Sequence, residues 1–214
     1  MSSLKRPQPM KLKYWTKNDK SRAAYVSLDN EIWGVLDIRT LRSMYPFACE
    51  LDLDEAQEQE LRKLLENRVW WLLGEYQAKA EHSEQQCREY LARKEFHPSL
   101  IHKAIAIAKD KKYIDDSRFA EILIRSLLDR AKSKRYIIQK LFTHRIPESL
   151  YLPLLSEAID PEDSRDSLRQ MIDKLRHQYR ELPPFKQKEK VFASLYRKGF
   201  DLEDIAAAWD ADLS

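Results

Sequence analysis

Asp115 and Asp116 are the carboxylates most suggestive of chemistry, because an adjacent pair can share a proton or hold a divalent cation. No histidine or third acidic ligand stands at ligand spacing beside them. They run instead into Ser117-Arg118-Phe119-Ala120, which reads as a helix start. There one carboxylate caps open N–H groups and a second complements the helix dipole. The five histidines, His82, His97, His102, His144 and His177, form no HxxxH or HExxH pair. Zinc needs four convergent ligands, and Cys87 lies five residues from His82, on another face of any helix. Cys49 and Cys87 fall outside any CxxC pattern and read as two reduced, partly buried thiols. Glycine occurs only at Gly34, Gly74 and Gly199, so neither a phosphate-cradling loop nor a dinucleotide fingerprint can be assembled. The expectation is a protein without catalytic residues, metal or cofactor, one that grips a partner.

Charge is the remaining chemistry. Lys and Arg number 38 against 35 Asp and Glu, a net +3, so the distribution matters more than the sum. Arg118, Arg125, Arg130, Lys132, Lys134, Arg135, Lys140 and Arg145 fall in one stretch opposed only by Glu121 and Asp129, a local +6. A second group follows at Lys186, Lys188, Lys190, Arg197 and Lys198. Two readings are open: a solvated face that keeps the chain soluble, or a stripe facing phosphates or an acidic protein surface. Trp70, Trp71, Phe119, Phe142, Tyr151, Phe192, Phe200 and Trp209 sit at apolar helical positions and are expected in the core. Tyr136, beside Arg135 and the basic loop, is the aromatic best placed to meet a base.

The elements that must carry these residues are mainly helical. Residues 11–36 alternate as a short β-meander, with a tight reversal at Leu28-Asp29-Asn30-Glu31-Ile32. A short helix over Ile38–Tyr45 should stop before Pro46, and Asp52 or Asp54 should cap a helix beginning near Glu55. From Asn67 the pattern stays helical and repeats. Leu91, Phe96, Ile101 and Ile105 correspond to Leu141, Ile146, Tyr151 and Leu155 at an offset of 50, then to Leu195, Phe200, Ile205 and Trp209 at 54. Each unit reads as three helices. Expected caps are Ser83, Asp115, Ser133 and Ser164, with Pro98 and Pro147 opening third helices and Pro183-Pro184 breaking the last unit. A unit of this size buries too little surface to stand alone, so neighbours must pack. The expected fold is mainly α: tandem three-helix repeats in an elongated, curved array behind a small N-terminal β-meander. The expected divisions are 1–62, 63–112, 113–160 and 161–214. The N-terminus shows no signal-peptide pattern and no run reaches ~18 apolar residues, so a soluble, cytoplasmic monomer is expected.

The run Tyr113-Ile114-Asp115-Asp116-Ser117-Arg118-Phe119-Ala120 resembles the middle-unit signature of the RecX family, bacterial regulators of the RecA recombinase. Ile137, Leu141 and the Arg145-Ile146 turn resemble the helix that follows it. Ser83-Glu84, Tyr90-Leu91 and Lys94-Glu95-Phe96 resemble the family's first unit, and Tyr196-Arg197-Lys198-Gly199-Phe200 its third. The resemblance spans about Asn67 to Trp209. Ala131-Lys132-Ser133 departs from the family's Gly-x-Gly, Tyr136 stands where an arginine is usual, and His82 replaces a leading arginine. The resemblance implies tandem three-helix units and a non-enzymatic modulator lying in the groove of the RecA–single-stranded-DNA filament. There it would slow ATP turnover, limit extension and hinder strand exchange. Arg118, Arg125, Arg130, Lys132, Lys134, Arg135, Tyr136 and Lys140 are the expected contacts to RecA or DNA. Asp115, Asp116, Phe119, Leu141, Gly199 and Phe200 are the structural signature. The alternative is a stand-alone DNA-binding protein built on helix-turn-helix-like units.

Overall fold

The computed structural model describes residues 9–46, 49–159 and 161–211, with side chains apart from those of 161–165. These residues form two compact units, Met1–Asp115 and Asp116–Ser214.

The first unit opens with β1 (Met10–Thr16), β2 (Ala23–Leu28) and β3 (Glu31–Asp37). Asp29 and Asn30 turn β2 into β3 at φ 48° and 67°. That double left-handed geometry suits a two-residue hairpin and residues whose short side chains tolerate it. Then α1 (Ile38–Met44) ends one residue before Tyr45 and Pro46, capped at its start by Asp37. A fourth strand, β4 (Glu50–Leu53), was not anticipated; it pairs antiparallel with β1 and gives the sheet order β3-β2-β1-β4. Asp52 is therefore a strand residue, and Asp54 is the cap of α2 (Glu55–Gln77). Asp54 and Gln57 form a reciprocal capping box there. The expected 62/63 division falls inside α2, a single helix of 23 residues. The sheet and the first four helices share one core, running from Met10 and Leu12 through Leu41, Leu61 and Leu65 to Leu91 and Ile105.

A bulge fastens the sheet to those helices. Val26 pairs with Gly34 but Ser27 pairs with Ile32, which leaves Trp33 as the extra residue. Its carbonyl accepts a hydrogen bond from the His97 N–H, and its ring lies between Arg62, at 4.0 Å, and the His97 ring, at 4.3 Å. A bulge re-aims one side chain out of the pleat, and here it aims a tryptophan at the helices.

The helical repeat is completed by α3 (Glu84–Arg93) and α4 (Pro98–Asp110) in the first unit. In the second unit α5 (Asp116–Asp129), α6 (Lys134–Thr143) and α7 (Glu148–Ala158) are followed by α8 (Pro161–Gln178), α9 (Pro184–Arg197) and α10 (Leu202–Ala211). Ser83 and Ser133 cap α3 and α6 as expected. Ser164 does not cap α8, which begins three residues earlier at Pro161. Pro147 and Pro183 occupy cap positions without a side-chain hydrogen bond, and Pro184 starts α9 where its missing N–H costs nothing.

The repeat signature has a backbone cause. At the ends of α3, α6 and α9 the chain turns left-handed at Glu95, Arg145 and Gly199, with φ of 62°, 54° and 93°. Two N–H groups then reach back into each helix. Glu95, Arg145 and Gly199 donate to the carbonyls of Ala92, Phe142 and Tyr196. Phe96, Ile146 and Phe200 donate to those of Leu91, Leu141 and Leu195. This is the Schellman end, in which the residue after the left-handed one packs on the residue five before it. Leu91/Phe96, Leu141/Ile146 and Leu195/Phe200 are those pairs, which is why they keep their spacing through all three units. Of the twelve apolar positions aligned across the repeats, Phe200 alone is half-buried and the other eleven are buried.

Candidate partner-binding surface

The basic stretch lies on α5, the loop after it, and α6, and much of it is engaged within its own unit. Arg125 pairs with Glu121 one turn away at 2.9 Å, both on the surface. Lys132 donates to the Arg197 carbonyl at the end of α9 (3.4 Å), while Lys198 donates to the Arg130 carbonyl at the end of α5 (3.1 Å). Each lysine thus caps the helix of the other repeat, where open carbonyls and the dipole favour a cation. Arg135 forms an ion pair with Asp201. Tyr136 is half-buried, with the Lys132 ammonium 4.5 Å and the Lys140 ammonium 5.6 Å from its ring centre. It packs against the core that includes Ile137 and Leu141.

Between these charges runs a polar seam. The buried Ser133 hydroxyl accepts from the Tyr136 N–H (3.2 Å), capping α6, and donates to the Gly199 carbonyl (2.6 Å). The Ser133 N–H donates to the Lys198 carbonyl at 3.1 Å. One hydroxyl serves both helices because it carries one proton and two lone pairs. Gly199 fits because it has no Cβ: one placed there would sit 2.6 Å from Tyr136 Cβ and 2.7 Å from Ser133 Oγ. Glycine also takes its φ of +93° without strain.

The other signature residues lie at the start of α5, on α5 and on α6. Asp115 precedes α5 and Asp116 is its first residue. Phe119 is buried, its ring edge-on to His144 at 5.1 Å, and Leu141 is buried on the core side of α6. Arg118, exposed at the first turn of α5, together with Arg130, Lys134 and Lys140, provides cations at the surface of this segment. Among the described residues no group of three or more His, Cys, Asp or Glu could hold a metal ion. Cys49 is exposed and Cys87 buried, and the two are not bonded. No helix of the described residues is long and apolar enough to cross a membrane.

Two aromatic expectations are corrected. Phe142 and Trp71 are 77% and 51% exposed, because each stands on the helix face turned away from its core. Phe185 and Tyr196 on α9 are exposed as well, and their eleven-residue spacing was the unread signal that they share a face.

The fold defines a tandem three-helix repeat protein with a four-stranded N-terminal sheet. Residues 162–209 match the RecX family model for the third three-helix domain. The crystal structure of regulatory protein RecX superposes with a TM-score of 0.60 at 19% identity, covering 94% of this chain and 99% of that one. RecX from Lactobacillus salivarius gives 0.57 at 19%, covering 70% and 97%. Among curated proteins no sequence matches. The family model thus matches one of the three helical repeats, and the likeness to the two solved structures is one of fold.

Proposed function

We propose that the chain modulates the RecA recombinase without chemistry of its own, binding in the groove of the RecA–single-stranded-DNA filament and limiting ATP turnover, extension and strand exchange. The RecX third domain at 162–209 carries this reading. A ligand shifts a filament only through its different affinity for two filament states, so a bound helical array needs no catalytic group. The basic segment supplies the contact. Lys132 and Arg135 shape the seam between two repeats, whereas Arg130, Lys134 and Lys140 offer charge to an acidic surface or to phosphates.

The deciding experiment is RecA ATPase on single-stranded DNA, with and without the protein. The chain should depress the rate. Arg130→Glu with Lys134→Glu should relieve the inhibition while leaving the melting temperature unchanged. Unchanged inhibition by that variant removes the segment from the contact; no effect of the intact chain removes the function. The second reading, a stand-alone DNA-binding protein, rests on the same cations and requires steep salt dependence on naked duplex with no response to RecA.

A further inference from the structure

The third repeat carries a surface that neither its core nor the basic seam uses. On α9, Phe185 is 80% and Tyr196 57% exposed. Eleven residues of helix bring them within about 20° of one line, some 16 Å apart along the axis. Phe192 lies between them on the same side, half-buried, its ring edge-on to Trp209 at 5.8 Å. Lys188 stands 5.3 Å from the Phe192 ring centre and 5.9 Å from that of Trp209. Arg176 covers another part of Trp209 at 3.8 Å and donates to its carbonyl, so the floor of this face is held in place. Lys186, Lys190 and Arg197 are exposed on the same helix, and Glu189 is its one acidic residue.

A phenylalanine this exposed contributes nothing to its own unit's core. One such residue on a surface is ordinary. Two on a single line, with a third ring between them, Lys188 on one flank and Lys186 and Arg197 on the other, match a different pattern. Sequence-independent binders of single-stranded nucleic acid use aromatic faces for bases and flanking cations for the backbone. A duplex keeps its base faces stacked and offers these rings nothing. An acidic protein would answer the lysines but would leave the rings without flat partners.

We infer that the Phe185–Phe192–Tyr196 face of α9 is a stacking surface for unpaired nucleotides, with Lys188 on one flank and Lys186 and Arg197 on the other facing the phosphates. The inference rests on this face alone and is tested without RecA, so its failure leaves the filament reading intact. The experiment is fluorescence anisotropy of the full chain with labelled oligothymidine, an abasic oligomer of equal length, and polyglutamate as competitor. Oligothymidine should bind more tightly than the abasic oligomer. Phe185→Ala and Tyr196→Ala should each weaken that binding about 5- to 100-fold, the range for loss of one stacked base. Phe185→Tyr and Tyr196→Phe should retain it, and melting temperatures should not move. Three results overturn the inference: no oligothymidine binding at low salt, equal binding of the abasic oligomer, or full binding by the Phe185→Ala/Tyr196→Ala double variant. Displacement by polyglutamate at matched charge also overturns it, in favour of an acidic protein partner.

Discussion

Replacing Gly199 with alanine should loosen the junction between the second and third repeats, and the size of the effect can be built from its parts. An L-residue in left-handed geometry costs about 1–2 kcal/mol, and φ here is +93°. The added methyl would meet Tyr136 Cβ at 2.6 Å and Ser133 Oγ at 2.7 Å. Neither atom is the far end of a flexible side chain. Tyr136 Cβ is fixed to α6, and Ser133 Oγ is held by its two hydrogen bonds. Overpacking of this kind costs about 1–3 kcal/mol, and opening the seam to relieve it gives up about 1 kcal/mol of hydrogen bonding instead. Alanine restricts the unfolded chain more than glycine does, which offsets about 0.4–1 kcal/mol. The net is a loss of about 2–4 kcal/mol, or roughly 10–20 °C in the melting temperature of a unit this size. Circular dichroism of the full chain during thermal and urea unfolding measures it. Gly74→Ala is the control: it lies within α2 with nothing within 4 Å of an added Cβ. That variant should gain about 0.5–1 kcal/mol. A Gly199→Ala protein melting within about 2 °C of wild type would refute the packing argument.

Three further outcomes follow from the same physics. Ala131 and Arg145 sit left-handed at φ 52° and 54°, so Ala131→Gly and Arg145→Gly should each stabilise by about 0.5–1 kcal/mol in urea titrations; destabilisation by both would mean the turns hold no strain. Burial lowers the pKa of His82, whose Nδ1 has no hydrogen-bond partner and whose ring stacks on Tyr76 at 3.7 Å. The unfolded chain therefore takes up this proton first, so the stability His82 provides is intact above the ordinary value of 6.5 and lost as pH falls towards the lower folded value. His82→Phe should flatten that slope in melting temperature between about pH 5 and 7, and an unchanged slope assigns it to another group. Finally, Lys132→Glu with Arg135→Glu should lower the melting temperature, whereas Arg130→Glu with Lys134→Glu should not, because only the first pair bridges two repeats; equal melting curves would deny the seam its structural role.

Much of this protein could be read along the chain. The repeat was legible because a Schellman end demands an apolar residue on each side of a left-handed one, and three such ends leave the same spacing three times. Ser83 and Ser133 were legible as caps because capping is local chemistry. β4 was not: four residues with two acids carry little strand signal, and they become a strand by pairing with β1. Phe142 and Trp71 were misplaced for a related reason. An aromatic at an apolar period sits in the core or just outside it depending on a rotation of one position, which the neighbouring helices decide.

The sequence by itself determined the helical class, the three-fold repeat, the absence of a phosphate-cradling loop, and the concentration of positive charge in the middle repeat. Those follow from residue type and short-range spacing, which act before any distant contact forms. Only the tertiary structure sorted the basic residues. Lys132 lies 65 residues from the carbonyl it caps, and Arg135 lies 66 from Asp201. Nothing local to a lysine says whether its charge meets the end of a distant helix or open solvent. That distinction leaves Arg130, Lys134 and Lys140 exposed at the surface and turns Lys132, Ser133 and Arg135 into the seam that holds two repeats together.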